Sequence, residues 1–157
     1  MHLTRFVLVA ASLAATACAS DTATSPAPRD LTPDSRLSAV AATPVAVVGS
    51  ATVTMKVSVT STLPESVSGG VCADAVEART ASATTWTDVT ATNFACSALA
   101  ATLAPGATLT LTAAADQAKL KAAAGSATTV VMRARSSLSG ASASYKLLSN
   151  EVTYQLP

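Results

Sequence analysis

Few side chains in this 157-residue chain are of a type and spacing that could do chemistry. The one histidine is His2, at the extreme N-terminus. The densest carboxylates are Asp74, Glu77 and Asp88. Asp74 and Glu77 are three residues apart, so on a strand they point to opposite faces and make a poor general acid–base pair. Calcium needs six or more oxygens, and no EF-hand-like or Asp-rich loop is present. Serine and threonine are abundant, but an activating base would have to be lysine or a carboxylate, and nothing marks one. Past residue 17 there is no Gly-x-Ser-x-Gly, no Ser-x-x-Lys and no glycine-rich phosphate loop. No catalytic residue, metal ligand or cofactor is assigned.

The cysteines carry more information. Met1-His2-Leu3-Thr4-Arg5 is a weakly basic start, and Phe6 to Ala17 is an apolar run of about twelve residues. That is the length of an export-signal core and too short to span a bilayer. The run ends in Ala15-Thr16-Ala17-Cys18, which resembles the lipobox of bacterial lipoproteins. The resemblance implies cleavage before Cys18 and a lipid on its sulfur and amine. Leucine is commoner than alanine at the position of Ala15. Residue 19 is alanine rather than aspartate, which by the same resemblance implies the outer membrane. The competing reading is ordinary cleavage at Ala17-Cys18-Ala19, which would discard Cys18. In either case His2 leaves with the signal, and histidine triads and histidine metal sites leave with it.

With Cys18 set aside, Cys72 and Cys96 are an even pair in an exported chain, where an oxidising compartment makes a disulfide the default. Closing a loop of about 25 residues contributes ~3.5 kcal/mol in the chain-entropy picture. A redox or metal role fits poorly, since the spacing is far from Cys-x-x-Cys and no further ligands lie nearby.

Arg133 and Arg135 are two apart and share one strand face. With Lys119, Lys121 and Lys146 they outline a weak basic patch toward anionic headgroups or a polyanion. The plainer expectation is a solvated sheet face. Trp86, the single tryptophan, would be an amphipathic surface ring in a binding role. The preferred expectation is a core ring near the Cys72–Cys96 bridge. Trp86, Arg133 and Arg135 are retained as the candidate partner contacts.

The elements that must hold these residues read as short strands. Leu37–Val48 is apolar with a break at Pro44, which suits an edge strand. Val53, Met55, Val57 and Val59 alternate with polar residues, a half-buried strand. Leu63-Pro64-Glu65-Ser66 and Gly69-Gly70 read as turns. Val71–Arg79 is expected as a strand with Cys72, Asp74, Val76 and Ala78 on one face. Thr84–Thr90 is expected as another, with Phe94 and Cys96 in an irregular stretch beyond. Pro105-Gly106 turns into the alternating Thr108–Thr112. Ala113–Ala124 has high helix propensity with Gly125 as its stop. Thr128–Ser136 is a strand, Ser139-Gly140 a turn, and Ala143–Gln155 a last strand broken near Ser149-Asn150. Residues 18–35 hold three prolines and almost no large apolar side chain, the composition of a disordered tether.

The order of Val53–Thr60, Cys72, Trp86, Cys96, Leu103-Ala104-Pro105-Gly106 and Ser149-Asn150-Glu151-Val152-Thr153 resembles bacterial Ig-like domains of small lipoproteins. A Gly-x-Tyr-Arg start to the penultimate strand, frequent in that group, is missing here. The resemblance implies an adhesive or scaffolding role and no catalysis. The expected fold is all-β: an Ig-like antiparallel β-sandwich of about seven strands with one short helical crossover, over residues 36–157.

The expected function is a lipid-anchored, non-catalytic envelope domain for structural or protein–protein contact. Its partners would be membrane lipid through Cys18 and an unidentified envelope protein. A net charge of +1 gives no electrostatic case for nucleic acid. The alternative is a protease inhibitor, secreted or anchored, presenting Leu63-Pro64-Glu65-Ser66 or Asn93-Phe94-Ala95-Cys96. A hydrolase using an unmarked serine or threonine is a third, weaker reading.

Overall fold

The computed structural model of the protein describes residues 33–46, 49–96 and 99–157. The expected signal, Cys18 and the expected tether as far as Thr32 lie outside them, as do Val47, Val48, Ser97 and Ala98. In chain order the elements are β1 (Leu37–Ala41), β2 (Val45–Ala46), β3 (Thr52–Ser61), β4 (Val67–Gly70), β5 (Ala75–Arg79), β6 (Thr87–Asp88), β7 (Ala100–Leu103), β8 (Thr108–Asp116), α1 (Gln117–Ala124), β9 (Thr129–Ser139), β10 (Ser144–Leu148) and β11 (Val152–Gln155).

Two antiparallel sheets pack face to face. In the first, β3 is central, with β1 and then β2 along one edge and β8 along the other. In the second, β9 is central, with β5 and then β6 on one side and β10 and β11 in succession on the other. The β4–β7 pair joins the second sheet through Ser68 opposite Ser139. This is the strand order of an Ig-like sandwich, A-B-E against C′-C-F-G, with β1/β2 in place of A and β10/β11 in place of G.

The core lies between the sheets. Period-2 alternation turns Val53, Met55, Val57 and Val59 of β3 inward, and Val130, Met132, Ala134 and Leu138 of β9 meet them. Leu63, Val67, Leu103, Leu111 and Leu120 fill the remainder, each no more than 1% exposed. The break expected at Pro44 separates β1 from β2. The expected break near Ser149 separates β10 from β11, and there the Ser149 hydroxyl accepts the Ala134 N–H at 2.9 Å.

Four local expectations are corrected. Ala113–Ala115 belong to β8, because nine consecutive residues of β8 pair with β3 and Ala113 and Ala115 fit against Met55 and Val53. Pairing and burial override alanine's helix preference there. The helix starts only after Asp116, whose carboxylate accepts the N–H groups of Ala118 and Lys119 at 2.8 and 3.0 Å, an N-cap. It ends at Gly125 with φ of 60°. Gly69 and Gly70 lie in β4 rather than in a turn. A side chain at Gly69 would have its Cβ 2.5 Å from Leu138 Cδ2 and 3.1 Å from the Ser137 carbonyl, so a larger residue here would have to displace Leu138. The strand expected over Val71–Arg79 begins at Ala75, with Asp74 exposed ahead of it. The strand expected over Thr84–Thr90 shrinks to Thr87–Asp88, and Ala100–Leu103 forms a strand that alternation did not reveal.

Candidate functional site

The outer face of the second sheet gathers most of the candidate residues. Register sets Glu77 opposite Arg133 on one side and opposite Asp88 on the other. Two carboxylates directly across a ladder repel. The repulsion is offset by cations. Arg133 Nε donates to Glu77 Oε2 at 2.7 Å, its Nη2 lies 2.7 Å from the same oxygen, and Arg135 Nη1 lies 3.4 Å from Oε1. Asp88 accepts from the Thr90 backbone N–H at 2.8 Å. Bonding to Thr90, and then the charges of Lys119 and Arg135, hold the Asp88 carboxyl below its ordinary range.

Trp86 is half-buried rather than a core ring. Two guanidiniums lie over its indole, with Arg133 4.0 Å and Arg79 4.9 Å from the ring centroid. Arg79 also donates to the Ala83 carbonyl at 2.7 Å and to Glu151 at 3.0 Å. The expectation of a core ring fails because Trp86 precedes the two-residue edge strand β6, where no second sheet covers it. Stacking on cations supplies its contact instead. The structure thus joins Trp86 to Arg133, with Arg135 two residues on and the more open of the two arginines, 42% exposed against 24%.

Of the wider basic patch, Lys119 acts with Arg135 on Asp88, and Lys146 shares the outer face of the second sheet. Lys119 turns to the Thr90 carbonyl at 2.8 Å, Lys121 sits in the last turn of α1, and Lys146 lies on β10 opposite Ser137. Cys72 and Cys96 form the expected disulfide, with Cα atoms 6.2 Å apart. It sits beside the edge of β8, where Ala73 N–H donates to the Thr112 carbonyl at 2.9 Å and Thr112 N–H to the Val71 carbonyl at 3.0 Å.

An open cleft of about 410 Å³ at the end of the sandwich where the chain enters is lined by Asp34, Arg36, Glu65, Ser142 and Tyr145, among others. Its centre is Glu65, which the sequence marked as part of a turn and of a candidate inhibitor loop. Glu65 Oε1 accepts from the Ser142 hydroxyl at 2.6 Å and the Tyr145 hydroxyl at 2.5 Å, and Oε2 accepts from the backbone N–H of Ala141 at 2.8 Å. These bonds, Ser142 first, hold its carboxyl down at about 2. Asp34 is likewise held at about 2 by its side-chain and backbone bonds from Arg36. A general base works best with a pKa near the ambient pH. These carboxylates fasten the β9–β10 hairpin and the chain entry instead. The inhibitor segment Leu63–Ser66 is engaged as well, since Leu63 is 1% exposed. Among the described residues no group of three or more metal-ligating side chains forms.

No family model and no curated protein matches the chain. The sandwich is similar to the X-ray structure of Northeast Structural Genomics Consortium target SoR45. The TM-score is 0.51 at 7% identity, over 80% of this chain and 91% of that one. At that identity the likeness shows the fold alone.

Proposed function

We propose that this chain is a lipid-anchored cell-envelope protein whose Ig-like sandwich makes structural or protein–protein contacts without transforming a substrate. The observation that carries the reading is the engagement of the two carboxylates at the centres of the charged face and of the cleft. Glu77 is shared between two arginines, and Glu65 is filled by hydroxyls and backbone N–H groups. A partner would meet the ring of Trp86 and the open side of Arg135, an aromatic and a guanidinium of the kinds enriched where proteins bind. The anchor rests on Ala15-Thr16-Ala17-Cys18, and Ala19 favours the outer membrane.

The anchor is tested by the mass of the N-terminal peptide from native envelopes. A diacylglyceryl-modified Cys18 is expected, and an unmodified peptide beginning at Ser20 overturns it. The contact is tested by a photo-crosslinking residue at Ser137, exposed and two residues from Arg135 on the same face of β9. A discrete protein adduct is expected, weakened by Arg135→Glu; crosslinking no greater than at Thr110 on the opposite sheet overturns it. The inhibitor reading now rests on Asn93–Cys96, tied down by the disulfide. A panel of extracellular proteases unaffected by micromolar protein removes it.

A further inference from the structure

We infer that β11 is the contact edge between two copies of this chain, which pair antiparallel about a two-fold axis at Tyr154 and join their second sheets into one. The inference rests on the strand edges of the sandwich and is independent of the lipid anchor.

Exposed strand edges are usually blunted or covered, and most edges in this sandwich are. On β1, Ala41 N–H donates to Asn150 Oδ1 at 2.6 Å and the Ala39 carbonyl accepts from Asn150 N–H at 3.2 Å. On β10, Pro33 bridges to Lys146. On β8, Cys72 and Thr90 form bridges to Thr112 and Ala115, and β7 lies close by. The edge strand β6 and the strand β2 are two residues long. The outer edge of β11 carries none of these covers among the described residues.

Leu156 N–H donates to the Thr128 carbonyl at 2.9 Å. That bond fixes the alternation of an antiparallel ladder: Val152, Tyr154 and Leu156 turn their backbone groups to β9, while Thr153 and Gln155 turn theirs outward. Thr153 and Gln155 are exposed, and no hydrogen bond reaches their outward backbone groups among the described residues. The strand Val152–Gln155 contains no lysine, proline or inward-pointing charge to deter pairing.

The sequence around Tyr154 suits a second copy in particular. Val-Thr-Tyr-Gln-Leu reads apolar, polar, apolar, polar, apolar from either end. A two-fold axis at Tyr154 therefore sets Val152 opposite the partner's Leu156 and Tyr154 opposite the partner's Tyr154 on the inner face. Val152 and Leu156 are partly buried hydrophobics at the rim of the core, and each gains an apolar neighbour. On the outer face Thr153 meets the partner's Gln155, and these are the residues whose backbone groups point outward, so they exchange both of their bonds. Glu151 falls opposite the partner's Pro157, whose side chain is uncharged. A slip of one residue sets the apolar row against the polar one. The contact is short and belongs to the weak class of interfaces, below about 1,200 Å².

Engineered thiols test the register. In this pairing Thr153 and the partner's Gln155 have Cα atoms about 5.5 Å apart, within disulfide reach. The full chain carrying Thr153→Cys and Gln155→Cys together, oxidised in native envelopes, is expected to form a covalent dimer. Either single variant should form about tenfold less, because each thiol then faces a non-thiol. Equal yields from the single and double variants, or a product of a mass other than a dimer, overturn the inference. The unsubstituted full chain in detergent gives a reading free of any folding defect. Sedimentation equilibrium should show mass rising toward a dimer as protein approaches about 1 mM, and monomer throughout overturns the inference. Thr153→Pro with Gln155→Pro removes only outward N–H groups and should hold the chain monomeric with its disulfide intact.

Discussion

The two outer faces of the sandwich solve the same problem by different means. The face of the first sheet carries Thr54, Ser58 and Thr60 of β3 beside Thr108, Thr110 and Thr112 of β8, with Lys56 as the one cation on these two strands. Its cross-strand contacts are light, such as Lys56 to the Thr112 hydroxyl at 2.8 Å and Thr60 to Thr108 at 3.2 Å. The face of the second sheet is built from Arg79, Glu77, Arg133, Arg135, Asp88, Glu151 and Trp86, several of them fixed by more than one partner. Threonine stabilises a strand one residue at a time, through its fit to a pleated surface. The charged face stabilises through pairs that exist only when three strands have assembled. Its residues are therefore coupled, and those of the hydroxyl face are nearly independent.

The seam between the two sheets should yield the largest effect. Cys72 lies beside β8 of the first sheet and leads into β5 of the second, so its bridge to Cys96 fastens both. Paired Cys72→Ala and Cys96→Ala should lower unfolding free energy by about 3 kcal/mol in urea titration. A loss below about 1 kcal/mol would mean that hydrogen bonding at β8 fastens the seam alone.

Next comes the charged face. Glu77→Ala strips Arg133 and Arg135 of their shared carboxylate and should cost about 2 kcal/mol, less than a fully buried pair because the arginines are partly solvated. A double-mutant cycle of Glu77→Ala with Arg133→Ala should show coupling of about 1 kcal/mol. Additive losses would erase the contrast drawn between the faces. On the hydroxyl face, Thr110→Val should change stability by less than about 0.5 kcal/mol, and its cycle with Ser58→Ala should be additive.

Acid should act through the hairpin clamp, with the smallest effect because Glu65 is open to solvent. Its carboxyl is lowered from an ordinary 4.5 to about 2. The folded state thus binds fewer protons than the unfolded chain, and the contribution of Glu65 is present above about 4.5 and fades as pH falls toward about 2. Glu65→Gln should flatten the dependence of melting temperature on pH within that window. An unchanged slope would assign the acid sensitivity to Asp34 and Asp88, whose carboxyls are also lowered.

Much of the frame was legible before any coordinates. Alternation marked β3 and the start of β8, because a half-buried strand must present apolar and polar residues by turns, and the apolar run Val130-Val131-Met132 marked β9. Proline marked the gap between β1 and β2, and Gly125 marked the helix end. The disulfide followed from an even cysteine count in a chain expected to be exported. Arg133 and Arg135 were placed on one face by parity alone. Glu65 and Asn150 were not legible as anchors: Tyr145 lies 80 residues from Glu65, and Ala41 lies 109 from Asn150. Trp86 was misplaced for a related reason, since a large aromatic ring reads as core until the reach of the covering sheet is known.

By itself, the sequence determined which stretches extend, which way their side chains alternate and where the chain must turn, because those follow from residue size, branching and local dihedral limits. Tertiary structure alone decided which strands became neighbours, and with that the sharing of Glu77 between two arginines, the stacking of Trp86 and the saturation of Glu65. Contacts between residues far apart in the chain depend on register and sheet order, and those are settled only when every strand competes for the same core.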